Sequence, residues 1–160
     1  YIQSLSGIIK MKNKALFLDR DGVINEAVPE GEYVVLRVGF HLRPVIIPLI
    51  RFARAAGYLV VVVTNQRGVA LGKMSQVDLD DVHAYMRELL MAQDAAVDAI
   101  YSCTHGLTDN CDCRKPKPGM FFAAARDLDI DLGESIMIGD RPTDIEAGKA
   151  AGCKAMLLIA

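Results

Sequence analysis

The sequence predicts a doubly wound α/β fold, a three-layer sandwich with a central, mostly parallel sheet. Three features indicate it: short continuous apolar segments, amphipathic segments between them, and polar residues directly after the apolar segments. Continuous apolar strands are typical of a parallel sheet that is covered on both faces. Strands that alternate with helices along a chain indicate a doubly wound arrangement.

Five segments are predicted to be strands. Four are continuous apolar runs, and a fifth, VDAIYS, is weaker because polar residues interrupt it. In chain order the predicted strands are 15–18, 58–63, 97–102, 135–138 and 154–159.

Four amphipathic segments are predicted to be helices. Residues 45–56 have apolar residues at helical spacing and stop at Gly57, which favours a helix end. Ser75 is suited to cap a helix that runs to about residue 91, and Asp78 at its third position favours the positive end of that helix. Residues 119–128 and 142–151 complete the set, whereas 26–40 is predicted to be a loop or flap.

The bulk composition is that of an ordinary globular protein. The 160 residues, 52% hydrophobic and 24% charged, predict a single domain over 11–160, with 1–10 as a leader or a remnant of expression. A net charge of −2 gives no reason to expect nucleic-acid or membrane partners. No apolar run approaches the roughly 18 residues that span a bilayer, and no secretion signal is visible. We therefore expect a cytoplasmic protein, and we expect it to be a monomer.

Polar clusters follow three of the predicted strands. They are DRDG at 19–22, TNQ at 64–66 and GD at 139–140. Each cluster alone is compatible with a turn or a helix cap. Because the carboxyl ends of parallel strands form the ligand crevice of such folds, the three together predict one site.

Three carboxylates in these clusters predict a magnesium site. Asp19 and Asp21 are two residues apart, so their side chains share a face in extended backbone, and Asp140 adds a third carboxylate. An all-oxygen site with open positions suits Mg²⁺. One carboxylate is suited to be a nucleophile, and the other to protonate a leaving oxygen and later accept a proton from water.

The remaining polar residues fit a phosphoryl group. Thr64 and Asn65 offer neutral donors, and Lys115 offers a fixed positive charge. A metal, a lysine and such donors stabilise the charge that a transferring phosphoryl group spreads over its oxygens. The sequence contains neither a GxxxxGK[ST] loop nor a GxSxG elbow, so it supports neither a P-loop hydrolase nor a serine hydrolase.

A second metal site is predicted where cysteines cluster. Cys103, His105, Cys111 and Cys113 offer three thiolates and one imidazole, the ligands of a closed, structural Zn²⁺ site. The competing interpretation is a set of unrelated buried cysteines beside a surface histidine. Disulfides are disfavoured by the expected compartment.

The ordered set of motifs resembles the haloacid-dehalogenase-like (HAD) phosphohydrolases. DRDG resembles the nucleophile motif of that superfamily, VVVTN at 61–65 the second motif, Lys115 the third-motif lysine, and GDRPTD at 139–144 the acidic fourth motif. The resemblance extends from about residue 14 to the end of the sequence. It implies a Rossmann-like core of the HAD type without a large cap domain.

The resemblance also implies roles for individual residues. It implies that Asp19 becomes an aspartyl-phosphate and that Asp21 is the general acid and base. It implies that Mg²⁺ is held by Asp19, Asp140 and a main-chain oxygen of Asp21, and that Thr64 and Lys115 steady the phosphoryl group. The residues implied to lie near the substrate are Asn65, Gln66, Arg67, Arg114 and Arg141.

Longer motifs resemble one branch of the superfamily, which contains heptose bisphosphate and histidinol-phosphate phosphatases. These motifs are DRDGVIN, TNQRGVALG, CTH, CDCRKPKPGM and GDRPTDIEAG. The branch carries a structural zinc at positions that match the four cysteine and histidine residues. The motifs favour a heptose bisphosphate substrate, although the short interval between His105 and Cys111 resembles the histidinol-phosphate group.

Two rival hypotheses belong to other classes. One is a zinc-stabilised binding module without catalytic activity, which would have no chemical need for all four of Asp19, Asp21, Lys115 and Asp140. The other is a nucleic-acid module, suggested by the basic residues at 114–117, whose charge makes a weak footprint in a net acidic chain.

Overall fold

The structure is a computed structural model that describes residues 10–159, so all but the last residue of the predicted leader lies outside the described residues. These described residues contain five strands and four α-helices in alternating order. The strands are β1 (Lys14–Leu18), β2 (Tyr58–Asn65), β3 (Ala99–Cys103), β4 (Ile136–Gly139) and β5 (Lys154–Leu157). The helices are α1 (Ile46–Ala55), α2 (Gln76–Ala92), α3 (Gly119–Leu128) and α4 (Pro142–Ala151).

The five strands form one parallel sheet with the order β3-β2-β1-β4-β5. The chain thus winds outward from β1 in both directions, and the doubly wound prediction is confirmed. All five predicted strands exist, including the weak one. β2 is two residues longer than predicted, so Thr64 and Asn65 belong to the strand and pair with Ser102 and Cys103 of β3.

Alternate residues of the central strands enter two separate cores. Leu16 and Leu18 of β1 pack with residues of α1 and α2 on one face of the sheet. Ala15 and Phe17 pack with residues of α3 and α4 on the other face, where the rings of Phe17 and Phe121 lie 4.8 Å apart. Both faces of the sheet are therefore covered, and this explains the continuous apolar run of β1.

The start of α2 shows how local sequence sets an element boundary. The Ser75 hydroxyl accepts a hydrogen bond from the Asp78 N–H at 3.0 Å, and the Asp78 carboxylate accepts one from the Ser75 N–H at 2.8 Å. This reciprocal pair is a capping box, and it satisfies amide groups that a helix start otherwise leaves unpaired. The predicted helix start at Ser75 is confirmed.

β5 differs from the prediction. Its apolar run predicts a buried strand, but β5 is one of the two edge strands of the sheet, and the side chains of Met156 and Leu157 are about half exposed, at 51% and 50%. An apolar run alone does not distinguish a central strand from an edge strand, because that distinction depends on the strand order. In residues 10–159 no helix is long and apolar enough to cross a membrane.

The segment 26–40 is a loop, as predicted, apart from one 3-10 turn at Arg37–Gly39. Tyr33 from this loop packs against Gly68, where a larger residue would collide with the ring. The Lys73 ammonium donates a hydrogen bond to the Gly31 carbonyl at 2.7 Å. These contacts hold the loop over the carboxyl edge of the sheet.

Candidate active site

A cleft of about 230 Å³ opens at the carboxyl edge of the sheet, between the loop at 28–33 and the residues that follow β1, β2 and β4. Seven of the predicted site residues line it, together with Thr143 and Asp144. The seven are Asp19, Asp21, Asn65, Arg67, Arg114, Lys115 and Arg141.

Lys115 is at the centre of the cleft floor. Its ammonium lies 2.8 Å from Asp19 Oδ1 and 2.7 Å from Asp144 Oδ1, and it donates a hydrogen bond to the Val63 carbonyl at 2.8 Å. The side chain is almost fully buried, so water cannot screen these pairs. Lys115 thereby fixes the position of the predicted nucleophile, Asp19.

Asn65 holds the backbone of Lys115 in place. Its amide oxygen accepts a hydrogen bond from the Lys115 N–H at 3.0 Å, and its amide nitrogen donates one to the Lys115 carbonyl at 3.1 Å. Asn65 lines the cleft as expected, but its amide is already paired. The structure therefore places it as a support for the lysine, with little hydrogen-bonding capacity left for a ligand.

Three carboxylates form a possible cation site. Oxygen atoms of Asp19, Asp140 and Asp144 lie within 4.8 Å of one another. Oδ1 of Asp140 is buried and has no hydrogen-bond partner among the described residues. Three carboxylates beside the single ammonium of Lys115 leave two negative charges in a partly dry site. The oxygen donors, the charge and the unpaired atom all fit a divalent cation.

Burial has a strong effect on the predicted nucleophile. Burial, reinforced by the negative charge of Asp144, outweighs the attraction of Lys115 and raises the pKa of Asp19 to about 7. A carboxylate must be ionised to attack phosphorus. A cation beside Asp19 would favour the ionised form and so oppose this shift.

Asp21 has an environment of the opposite kind. The Arg20 guanidinium donates to its carboxylate from Nε at 3.1 Å and from Nη2 at 2.9 Å. The side-chain amides of Asn25 and Gln66 donate to it at 2.9 and 3.0 Å. Burial alone would raise the pKa of Asp21, but Arg20 and these hydrogen bonds outweigh burial and lower it. The carboxylate of Asp21 is therefore occupied by side chains of the protein.

Gln66 and Thr64 differ from expectation, because neither lies in the cleft lining. Gln66 is fully buried, and its amide donates to both Asp21 and Thr64 Oγ1, the latter at 2.9 Å. The amide nitrogen of Gln66 is therefore committed to these two acceptors, whereas its Oε1 is buried without a hydrogen-bond partner among the described residues. Gln66 thus supports Asp21 from below the cleft lining, and its place near the substrate stays a prediction.

Asp144 was not singled out in the sequence, although it ends the GDRPTD motif. Its Oδ2 accepts hydrogen bonds from the main-chain N–H groups of Asp140 and Arg141, both at 3.1 Å, at the start of α4. Its Oδ1 faces Lys115. The available signal was an acidic residue in the first turn of a predicted helix, where it would ordinarily be interpreted only as a cap.

Three arginines lie around the cleft. Arg67, Arg114 and Arg141 all contribute to the lining, as do the exposed Glu30 and Glu32 at the loop. Nε of Arg67 and Nη1 of Arg114 are buried and have no hydrogen-bond partner among the described residues. Unpaired buried donors are costly, so these guanidinium groups are prepared for an acceptor that enters the cleft.

The four predicted zinc ligands come together directly before Lys115. Sγ of Cys113 lies 3.0 Å from Sγ of Cys103 and 3.1 Å from Nδ1 of His105, and Sγ of Cys111 lies 3.7 Å from Sγ of Cys103. The cysteines are free, so the disulfide alternative is not supported. Three sulfur atoms and one imidazole nitrogen within 4.8 Å fit a tetrahedral soft-metal site.

The protein environment favours the thiolate form of one of these cysteines, Cys111. Burial would raise the pKa of Cys111, but hydrogen bonds from the Arg114 main chain and from the neighbouring thiols outweigh it and lower the pKa to about 6. Burial raises the pKa of Cys103 and Cys113. A bound cation would be needed to hold all three as thiolates.

Comparisons with known proteins agree with this geometry. The HAD-hydrolase-like family matches residues 112–159. The chain is 42% identical, over 93% of its length and 81% of the relative, to the D-glycero-alpha-D-manno-heptose-1,7-bisphosphate 7-phosphatase of Burkholderia mallei. It is 40% identical, over 92% of its length and 84% of the relative, to the corresponding beta-heptose enzyme of Helicobacter pylori.

A solved structure gives the same result for the fold. The D,D-heptose 1,7-bisphosphate phosphatase of B. bronchiseptica, complexed with magnesium and phosphate, superposes with a TM-score of 0.83. It is 37% identical, and the match covers 90% of this chain and 79% of that one.

The chain therefore belongs to the haloacid-dehalogenase-like phosphatases. Within that class its relatives carry the name D-glycero-D-manno-heptose-1,7-bisphosphate 7-phosphatase. It is an enzyme, so the non-catalytic alternative is set aside.

Proposed function

We propose that this protein removes the 7-phosphate from D-glycero-D-manno-heptose 1,7-bisphosphate with the help of Mg²⁺. The observation that carries the proposal is that these groups share one cleft. In it, Lys115 fixes Asp19, Asp21 lies two residues further along the chain, and three arginines contribute to the lining. The names of the relatives supply the sugar. The sequence motifs also favour a heptose bisphosphate over histidinol phosphate, in agreement with those names.

We infer that Asp19, Asp140 and Asp144 form the carboxylate side of the cation site, to which the main-chain oxygen of Asp21 is a further predicted ligand. When bound there, Mg²⁺ would neutralise charge on the phosphoryl oxygens and keep Asp19 ionised. Asp144 is added to the predicted cation ligands, and its salt bridge with Lys115 connects the cation site to the lysine.

Asp19 is proposed as the nucleophile. An oxygen of its carboxylate forms a bond to phosphorus while the bond from phosphorus to the 7-ester oxygen breaks, which yields an aspartyl-phosphate and the heptose 1-phosphate. Lys115 holds Asp19 in position and compensates negative charge as it develops. Water then attacks the same phosphorus, and inorganic phosphate and the free Asp19 carboxylate are regenerated.

Asp21 is proposed to transfer the two protons that these two reaction steps require. It donates one to the leaving ester oxygen, and it accepts one from the attacking water. The surrounding donors lower its pKa in the empty cleft. The negative charge of an entering phosphate acts in the opposite direction, so substrate binding favours the protonated form that the first step requires.

The arginines support a bisphosphate over histidinol phosphate. Arg67, Arg114 and Arg141 offer positive charge in the cleft lining, and Arg67 and Arg114 each have an unpaired buried nitrogen atom. Guanidinium groups bind phosphate oxygens in a geometry that suits a second phosphate. The ammonium group of histidinol phosphate would instead be repelled by them.

The cluster of Cys103, His105, Cys111 and Cys113 is proposed to hold a structural Zn²⁺. Four protein ligands leave no open position for chemistry, so a bound Zn²⁺ would fix the loop rather than act on the substrate. Arg114 and Lys115 directly follow the last of these ligands. The metal would therefore determine where the backbone of both basic residues lies.

Steady-state kinetics on the two substrates test the proposal. We expect kcat/KM for the heptose bisphosphate to exceed that for histidinol phosphate by at least roughly 100-fold, because a second phosphate gains charged contacts. Arg67→Met is expected to raise KM for the bisphosphate by roughly ten-fold.

The matched control is Arg126→Met, because Arg126 is exposed on the surface of α3 and faces Asp127. This variant should behave like the wild type. A preference for histidinol phosphate, or equal sensitivity of the two substrates to Arg67→Met, would refute the bisphosphate assignment.

A further inference from the structure

Arg20 connects the active site to a histidine that the proposed reaction does not use. Arg20 lies between Asp19 and Asp21 in the sequence, and its side chain is fully buried. Its Nε and Nη2 donate to the Asp21 carboxylate, and its Nη1 lies 3.1 Å from Nε2 of His83 on α2. His83 is itself only 8% exposed, although its place in a predicted helix, with no partner residues evident in the sequence, predicts a partly exposed side chain.

The direction of the contact follows from the chemistry of the two groups. A guanidinium has five N–H donors and no acceptor, and it stays protonated in proteins. Nε2 of His83 must therefore be the acceptor, which places the ring proton on Nδ1. Burial, followed by the charge of Arg20, lowers the pKa of His83 to about 4, and this keeps the ring neutral in the working range of pH.

His83 thus provides the acceptor for Nη1 of a buried guanidinium whose Nε and Nη2 are paired with Asp21. Two sides of the guanidinium face the Asp21 carboxylate, and the third faces the imidazole. The Arg20 carbonyl accepts main-chain hydrogen bonds from Ile24 and Asn25, and Asn25 in turn donates to Asp21. Without an acceptor at position 83, Nη1 would be buried and unpaired, and rotation of the guanidinium to find a partner would pull on Asp21.

We propose that His83 is a positioning residue for Asp21 and acts through Arg20. The proposal rests on the proposed role of Asp21 as the group that protonates the leaving oxygen. A misplaced acid slows the loss of a poor leaving group, such as a sugar alkoxide. It has far less effect on p-nitrophenyl phosphate, whose leaving group departs without a proton.

The test compares kcat/KM for the sugar bisphosphate and for p-nitrophenyl phosphate in three variants, because kcat/KM reports steps up to the first phosphoryl transfer. His83→Leu removes the acceptor at similar volume, and we expect it to reduce the sugar-to-aryl ratio by roughly ten-fold. His83→Gln places an oxygen near the former Nε2, and its ratio should stay within about two-fold of the wild type. Asp21→Asn is the reference and should show the largest selective loss.

The outcomes separate the inference from the function on which it rests. If His83→Leu lowers activity on both substrates equally, or if His83→Gln is as impaired as His83→Leu, His83 is not a positioning residue. If Asp21→Asn shows no selective loss, the proposed acid role of Asp21 fails instead. Nitrogen-15 chemical shifts of the wild-type ring give a test that needs no variant: a proton on Nδ1 supports the contact, and one on Nε2 overturns it.

Discussion

The carboxylate site depends on the absence of a side chain at Gly22. Its φ is +88°, in the left-handed region, and a Cβ built at this position would overlap the Asp140 carboxylate. Asp140 is one of the three proposed cation ligands. A side chain at position 22 would therefore displace a ligand in addition to straining the backbone.

Gly22→Ala is predicted to weaken Mg²⁺ activation. We expect the Mg²⁺ concentration for half-maximal activity to rise by at least roughly ten-fold, the effect of disturbing one ligand of a metal site. The measurement is a magnesium titration of phosphate release, with circular dichroism to verify the fold.

Gly57→Ala is the matched control for Gly22→Ala. Gly57 has a φ of +86°, and nothing lies within 4 Å of a Cβ built there. It should lose about 1–2 kcal/mol of unfolding free energy from backbone strain and keep the wild-type magnesium response. An equal shift in both variants would mean that strain, not Asp140, explains the effect.

The sequence was informative about single residues where chemistry requires a particular residue type. It predicted that Asp19, Asp21, Lys115 and Asp140 would converge, and the structure brings them to one edge of the sheet. It was uninformative about Gln66. Whether an amide points into a cleft or back toward a carboxylate depends on tertiary contacts that no local pattern contains.

At the scale of elements, the loop that joins β3 to α3 connects the proposed zinc site to catalysis. It contains His105, Cys111 and Cys113, it begins directly after Cys103, and it includes Arg114 and Lys115. Lys117 also donates to the Cys111 carbonyl at 2.8 Å, which closes the loop on itself. A metal would hold a segment that has few apolar contacts of its own.

Cys113→Ser is predicted to lose bound zinc and to raise KM, because Arg114 and Lys115 would lose their anchored backbone. We expect roughly a 10–100-fold loss of zinc affinity, measured by zinc content after dialysis against a chelator. Cys153→Ser is the control, since Cys153 is buried but lies outside the cluster. Unchanged zinc content in Cys113→Ser, or equal loss in both variants, would disprove the assignment of this site.

The start of α2 was predicted correctly, whereas the burial of some side chains was not. The capping box at Ser75 is a local interaction, so sequence spacing was enough to locate it. The exposure of β5 was predicted wrongly, because edge and centre are properties of the whole sheet. His83 is a similar case: it is buried against Arg20, which is 63 residues away along the chain, and no local pattern indicates that contact.

At the scale of the whole molecule, the strand order determines the chemistry. β1 lies between β2 and β4, so the residues that follow these three strands meet although they are far apart in the sequence. The alternation of strands and helices predicted a doubly wound sheet, but it did not predict the order of the strands in that sheet. The convergence of the polar clusters then followed from the rule that ligands bind at the carboxyl ends of parallel strands.

The central claim is that Asp19 carries the phosphoryl group during turnover. The most direct measurement is acid quenching of the enzyme with Mg²⁺ and the heptose bisphosphate, followed by mass spectrometry of the peptide that contains Asp19. We predict one phosphoryl group on Asp19 in the wild type, and in Asp19→Asn neither this modification nor turnover above roughly a thousandth of the wild-type rate. Rapid turnover by Asp19→Asn, or a phosphoryl group on another residue, would contradict the account.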